Sequence, residues 1–101
     1  MYVDIKKSTN KEKKLMAIFY NNEKQKIKTT HFGASGYSDF TQHKDEDRKQ
    51  RYLERHKKNE DWDDYTSAGS LSRYILWHKT SLKASIEDYK KRFKLKSMLS
   101  I

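Results

Sequence analysis

Apolar and polar residues are arranged over the first third of the chain in a pattern that predicts β-strands. The segment 14–20, KLMAIFY, is the most apolar run in the sequence. It is too short to indicate a helix, and its Ile, Phe and Tyr favour a strand. The turn signal NNEK separates it from a second strand-like segment, KQKIKTTHF. We therefore predict a β-hairpin formed by residues 15–20 and 25–32, with residues 2–6 as a candidate third strand.

Three helices are predicted after the hairpin. The first is expected over residues 41–58, because Asp39 followed by Gln42 resembles a capping box. The second begins after a cap at Thr66 or Ser67 and carries a stripe at helical spacing, which consists of Leu71, Tyr74, Ile75 and His78. The third carries the most regular amphipathic pattern, which consists of Leu82, Ile86, Tyr89 and Phe93.

These elements predict an α+β fold. We expect an N-terminal antiparallel β-hairpin or three-stranded sheet, followed by three α-helices, of which the last two form an amphipathic helical hairpin that covers the sheet. A chain of 101 residues favours a single small domain, 1–101, with an ordered core over about 14–94 and a tail over 95–101. The chain is 37% charged and only 34% hydrophobic, but its 13% of aromatic residues can close a small core.

The formal charge of +9 is unevenly distributed. Residues 41–58 carry seven Lys or Arg and four Asp or Glu, whereas residues 59–65 carry four acids and no base. A basic balance favours a phosphate-bearing or acidic partner, although a general bias toward lysine explains the charge equally well. The chain has no cysteine, which excludes disulfides and thiolate metal sites. No window approaches the roughly 20 apolar residues of a membrane span, so no membrane association is expected.

The predicted first helix carries an arginine stripe. Arg48, Arg51 and Arg55 share one face with Tyr52, at positions i, i+3, i+4 and i+7. Arginine binds phosphate through two parallel hydrogen bonds, and a tyrosine can stack on a base. The predicted nucleic-acid-binding residues are Arg48, Arg51, Tyr52, Arg55 and Lys58, with Lys44 and His31 in support. The alternative is a solvated helix whose arginines form local ion pairs, for example with Asp47.

A second candidate site lies at the start of the second helix. Ser67, Ser70 and Arg73 would place hydroxyl groups and a guanidinium next to free backbone N–H groups, which is the arrangement of an anion site. The alternative is an ordinary helix cap.

The segment Gly33-Ala34-Ser35-Gly36 has the GXXG form that clamps the nucleic-acid backbone in KH domains. In KH domains this loop joins two helices, whereas here it follows a predicted strand. We interpret it as a turn that needs glycine for its backbone dihedral angles.

The four histidines do not form a metal-binding pattern. They are separated by 12, 13 and 22 positions, and none forms an HxxxH pair. No metal and no cofactor is therefore predicted. Asp39 near His43, or His56 near Asp61, could flank a hydrolytic site, but no residue stands out as a nucleophile.

Two long motifs resemble those of a family of small proteins of unknown function from giant nucleocytoplasmic DNA viruses, the relatives of mimiviruses and phycodnaviruses. The motifs are HFGASGYSDFTQHKDEDRKQRYLERHKKNEDW and TSAGSLSRYILWHKTSLKASIEDYKKRF, and the likeness covers roughly residues 28–94. Members of that family often carry Asn and Pro at the helix break, where this chain has His78 and Thr80. The resemblance implies no functional residue. It implies a location in the host's cytoplasmic virus factory or in the virion.

The charge pattern and the resemblance together predict a non-enzymatic protein that binds nucleic acid through phosphate contacts with little sequence specificity. DNA is favoured over RNA, but the sequence leaves the choice between them open. One alternative is a minor virion or capsid component whose basic faces meet an acidic viral protein surface. A third interpretation is a small His-dependent phosphodiesterase. The oligomeric state stays open.

Overall fold

A computed structural model describes residues 1–98 of the chain, which form a four-stranded sheet and several helices. The strands are β1 (Tyr2–Lys7), β2 (Lys13–Tyr20), β3 (Lys26–Ala34) and β4 (Lys96–Ser97). Their order in the sheet is β3-β2-β1-β4. The first three strands are antiparallel, and β4 runs parallel to β1. The prediction of an α+β fold with N-terminal strands is confirmed.

The helical part is divided differently from the prediction. Its elements are α1 (Phe40–His43), α2 (Glu46–Lys57), α3 (Ala68–Leu71), a π-helical turn (Ser72–Leu76) and α4 (Leu82–Arg92). The helix expected over 41–58 is interrupted because Lys44 adopts a left-handed conformation, with φ of 55°. Asp45 then begins α2, and its carboxylate accepts hydrogen bonds from the backbone N–H groups of Asp47 and Arg48.

The hydrophobic core lies between the sheet and the segment that contains α3, the π turn and α4. Alternate strand residues point to the same face of the sheet, and on this face Val3, Phe19 and Phe32 are fully buried. They form one cluster with buried residues from the helical side, namely Leu71, Ile75, Leu76 and Tyr89. The hydroxyl group of Tyr89 donates a hydrogen bond to the backbone carbonyl of Tyr65, which satisfies its polar end inside the core.

The C-terminal segment joins the sheet rather than leaving it. Residues 95–101 were predicted to form a tail, but Leu95 is 8% exposed and Lys96–Ser97 pairs with Tyr2 and Val3 of β1. The rest of the predicted tail, 99–101, lies outside the described residues. A two-residue strand has no periodic pattern, which explains why the sequence did not indicate it.

Two glycines, one near the end of β3 and one in the turn after it, allow a controlled test of this packing. Gly33 and Gly36 both have positive φ, +79° and +86°. A Cβ atom at Gly33 would lie 2.6 Å from Cδ1 of Leu76, whereas a Cβ atom at Gly36 would meet nothing within 4 Å. Only Gly33 therefore combines a backbone requirement with a steric one.

We expect Gly36→Ala to lower the free energy of unfolding by about 1–2 kcal/mol, the cost of a left-handed non-glycine residue. Gly33→Ala should cost about 1–3 kcal/mol more, because the added methyl group overpacks the core. Urea unfolding followed by circular dichroism measures both changes. Equal losses in the two variants would contradict the close approach of Leu76 to Gly33.

Candidate functional site

A groove of about 1000 Å³ opens between α2 and the turn that follows β3. One side is lined by residues of α2, and the other by the end of β3 and by residues 37–39. Three buried side chains, Phe32, Tyr52 and Leu76, contribute apolar lining. The lining of the groove therefore combines buried apolar side chains with charged ones.

The arginine stripe lies along this groove. Arg48, Arg51 and Arg55 are exposed and line the groove together with Lys58. Within residues 1–98, no ion pair involves any of the three arginines. The alternative was a helix whose arginines pair with its own carboxylates, for example with Asp47. The structure shows no such pairs for these three arginines. The three guanidinium groups are available to an external anion.

Two of the three carboxylates in the groove are already engaged. Asp39 is 3% exposed, caps α1 and accepts a 2.6 Å ion pair from Nζ of Lys14. Glu60 pairs with Nδ1 of His56 at 3.2 Å and accepts a hydrogen bond from the indole N–H of Trp62. The remaining carboxylate belongs to Glu54. The groove also contains Lys13, so its unpaired charge is predominantly positive.

Tyr52 has a different role from the one predicted. Its side chain is 8% exposed, and its ring stacks on that of Trp77, with centroids 4.3 Å apart and planes 3° from parallel. The His56 ring lies 4.3 Å away and tilted. Burial, and secondly the charge of Glu60, raise the pKa of Tyr52 to about 12. Neither face of this ring is open to a nucleic-acid base, and Tyr52 instead anchors α2.

Two supporting residues of the prediction lie away from the groove. Lys44 is exposed at the end of α1, where its left-handed backbone separates α1 from α2. His31 is on β3, and its Nδ1 shares a 2.7 Å hydrogen bond with the hydroxyl group of Ser8. Because neighbouring strand residues point to opposite faces, His31 lies on the face of the sheet opposite to Phe32. The structure does not bring these two residues together with the arginines.

The second candidate site lies where Ser67 caps α3. The Ser67 hydroxyl accepts a hydrogen bond from the backbone N–H of Ser70, and the buried hydroxyl of Ser70 donates to the carbonyl of Trp62. Arg73 donates to the carbonyl of Trp77 and lies over the rings of Trp62 and Tyr74. Each of the three predicted residues therefore makes contacts within the chain, although the buried Nε of Arg73 has no hydrogen-bond partner among the described residues.

The histidines are dispersed in the structure as in the sequence. His43 lies near the rings of Phe40 and Trp77, and His78 pairs with Asp88 at 2.9 Å. The pKa of His78 is lowered, mainly because the side chain is partly buried, and the charge of Asp88 acts against this shift. No group of three His, Asp or Glu residues in the described part of the chain could hold a metal ion.

Other residues of the groove have no signal in the sequence. Tyr37, Lys13 and Lys14 line the groove, although they belong to a turn and to β2 rather than to the arginine stripe. Lysines at the start of a strand and a tyrosine in a turn have no periodic signal. Only the pairing of β2 with β3 brings them opposite α2.

The fold and the groove define a small α+β protein with a basic groove against a four-stranded sheet. The chain belongs to a family of unknown function, DUF5754, whose family model matches residues 3–56. The matched range contains all of β1 except Tyr2, the whole of β2 and β3, the glycine turn and most of α2. No curated protein and no solved structure is detectably similar to the chain. In residues 1–98, no helix is both long enough and apolar enough to cross a bilayer.

The burial of Tyr52 predicts a specific dependence of stability on pH. An unfolded chain ionises its tyrosines near the ordinary pKa of 10.0, whereas folded Tyr52 does so at about 12. Between these values the folded state binds a proton that the unfolded state has lost, so this contribution to the free energy of unfolding falls as pH rises above 10.0. Tyr52→Phe removes the titrating group and should remove this part of the loss.

Urea unfolding of the wild type and of Tyr52→Phe at about pH 9 and about pH 11 measures the effect. The wild type should lose more stability than the variant between the two pH values. Equal losses would mean that the Tyr52 hydroxyl is not buried in the folded protein.

Proposed function

We propose that the protein binds nucleic acid by neutralising phosphate groups along the groove, with little sequence specificity. The observation that carries this proposal is the arginine stripe: Arg48, Arg51 and Arg55 are exposed, make no ion pair in the described part of the chain, and line one groove. Unpaired cations on a folded surface attract polyanions, and arginine in particular matches the geometry of phosphate.

The spacing of the cations supports a linear polyanion rather than an isolated ion. Arg48 and Arg55 are seven residues apart, which corresponds to about 10 Å along a helix. Arg51 lies between them, and Lys58 continues the row by almost one more turn. A row of this length can contact several phosphates of one strand, whose charges repeat along the backbone.

The composition of the groove supports binding without base recognition. Within residues 1–98, its lining contains no Asn and no Gln, the side chains that read adenine most directly. Contacts from its arginines and lysines to phosphate groups would carry no sequence information. Affinity should therefore depend on ionic strength far more than on the sequence of the nucleic acid.

A charge-matched pair of variants tests the proposal. The triple variant Arg48→Ala, Arg51→Ala, Arg55→Ala removes the stripe, and alanine preserves the helix because it has the highest helix propensity. The control, Lys11→Ala, Lys83→Ala, Lys91→Ala, removes three exposed lysines outside the groove. Both variants lose the same formal charge.

Fluorescence anisotropy with a labelled oligonucleotide over a series of salt concentrations gives the number of neutralised phosphates. The plot of log affinity against log salt has a slope of about −0.9 per phosphate on duplex DNA and about −0.7 on single strands. We expect the arginine variant to flatten this slope by about two to three phosphates, and the lysine control to change it by less than one. Equal changes of slope in both variants would mean that only the net charge of the protein matters, which would contradict a role for the groove. If the wild type binds no oligonucleotide, the proposal is refuted.

The viral setting remains a proposal of its own, supported by the two motifs that resemble giant-virus proteins. It predicts that the protein is found in infected cells at the virus factory or in the virion. Quantitative mass spectrometry of purified virions and of infected-cell fractions tests this. Abundance in virions combined with no retention of nucleic acid by the isolated protein would favour a role as a virion component that contacts acidic proteins.

A further inference from the structure

We infer that the groove takes unpaired nucleotides, and that Tyr37 provides the ring on which a base stacks. The inference rests on the proposed function, because it names the form of nucleic acid that the same groove binds. It assigns a role to a residue that belongs neither to the arginine stripe nor to the core.

Tyr37 is exposed to an unusual degree. The chain has thirteen aromatic residues of the Phe, Tyr and Trp types, all of them within residues 1–98, and Tyr37 is the one classed as exposed, at 74%. The others are buried or half-buried and contribute to packing. A single exposed apolar side chain is common on protein surfaces, so what distinguishes Tyr37 is its place in the lining of the groove.

The backbone on both sides of Tyr37 is fixed. Residues 34–37 form a turn in which Gly36 has φ of +86° and the N–H of Tyr37 points to the carbonyl of Ala34. The N–H of Ser35 donates to the carbonyl of Glu12 at 3.0 Å, which attaches the turn to the β1–β2 connection. On the other side, Asp39 is held by Lys14 and by the cap of α1. The exposed ring is therefore carried by a segment whose backbone is hydrogen-bonded on both sides, and such restraint lowers the entropy cost of stacking on the ring.

The position of this ring relative to the arginines matches the two parts of a nucleotide. Tyr37 lines the groove from the turn after β3, and Arg48 and Arg51 line it from α2. A strand whose phosphates contact α2 can direct its bases toward the opposite side, where the ring lies. Aromatic rings combined with a positively charged groove are the usual means of binding single strands without sequence preference.

A duplex does not fit this arrangement. Paired bases are stacked on their neighbours and present only their edges, so a ring can stack on a base only after the base leaves the helix. Tyr52 cannot replace Tyr37, because Trp77 and His56 occupy its faces. The role of Tyr37 is therefore specific to unpaired nucleotides, whether they belong to DNA or RNA.

The test compares Tyr37→Leu and Tyr37→Phe with the control Ile27→Ala. Leucine removes the ring and keeps an apolar side chain, phenylalanine keeps the ring, and Ile27 is an apolar side chain that is 52% exposed outside the groove. The probes are labelled oligo(dT) and oligo(rU) of about 16 nucleotides, the upper end of the site size of one small domain, and a duplex of the same length. None of these substitutions changes the charge.

We expect Tyr37→Leu to weaken binding of the single strands by about five- to 150-fold, the range for the loss of one stacked base. Binding of the duplex and the slope against log salt should stay unchanged, and Tyr37→Phe and Ile27→Ala should behave as the wild type. A loss with oligo(dT), oligo(rU) or both supports the inference and shows which sugar the groove accepts. In the wild type, 2-aminopurine in the bound strand should be quenched, and Tyr37→Leu should abolish the quenching.

The two proposals fail in different ways. If the wild type binds no oligonucleotide, the proposed function itself is refuted. If binding depends on the three arginines but Tyr37→Leu binds single strands as tightly as the wild type, the phosphate contacts stand and the role of Tyr37 is refuted. Equal weakening of single-stranded and duplex binding also overturns it, because it would show a general effect on the groove.

Discussion

The stack between Tyr52 and Trp77 is the contact on which the arrangement of the groove depends. Tyr52 is the one buried residue of α2, and its ring lies parallel to that of Trp77 at 4.3 Å. Nζ of Lys49 adds a 2.7 Å hydrogen bond to the carbonyl of His78, the next residue along from Trp77. Because α2 has so little apolar surface, these contacts do most to fix its position on the rest of the protein. They determine which way the arginines of α2 face.

The π turn before Trp77 is part of the same constraint. The N–H of Trp77 donates to the carbonyl of Ser72, five residues earlier, so the helix accommodates one more residue per turn at this point. Leu76 then packs against the end of β3 near Gly33, and Trp77 packs against α2. One short irregular segment therefore joins the sheet to the arginine-bearing helix. One orientation of α2 therefore has two consequences. It buries Tyr52, and it leaves Arg48 and Arg51 exposed.

The sequence predicted the features that have a local pattern. The strands β1, β2 and β3 were identified because runs such as KLMAIFY are rich in strand formers. The arginine stripe was identified from helical spacing alone. The break at Lys44 was missed because lysine is an ordinary helix former, although Asp45 followed by Glu46 and Asp47 carried the signal of a second N-terminus. β4 was missed because two residues that pair with β1 at the far end of the chain have no pattern of their own.

The residues of the site divide in the same way. The groove contains the four basic residues that the spacing indicated, which are Arg48, Arg51, Arg55 and Lys58. Tyr52 was predicted to contact the ligand, although it was also one of the few apolar residues that could anchor the helix. A single aromatic residue in a polar helix is more simply explained by burial. Tyr37 was not identified because its position opposite α2 depends on tertiary packing.

The most direct test of the account is to map the binding surface residue by residue. A ¹⁵N-labelled sample titrated with a short single strand would report chemical-shift changes at each backbone amide. The account predicts the largest changes along α2 and at residues 36–38, with little change at Thr29 and His31 on β3. Changes concentrated on the face of the sheet that carries His31, with α2 unaffected, would contradict it.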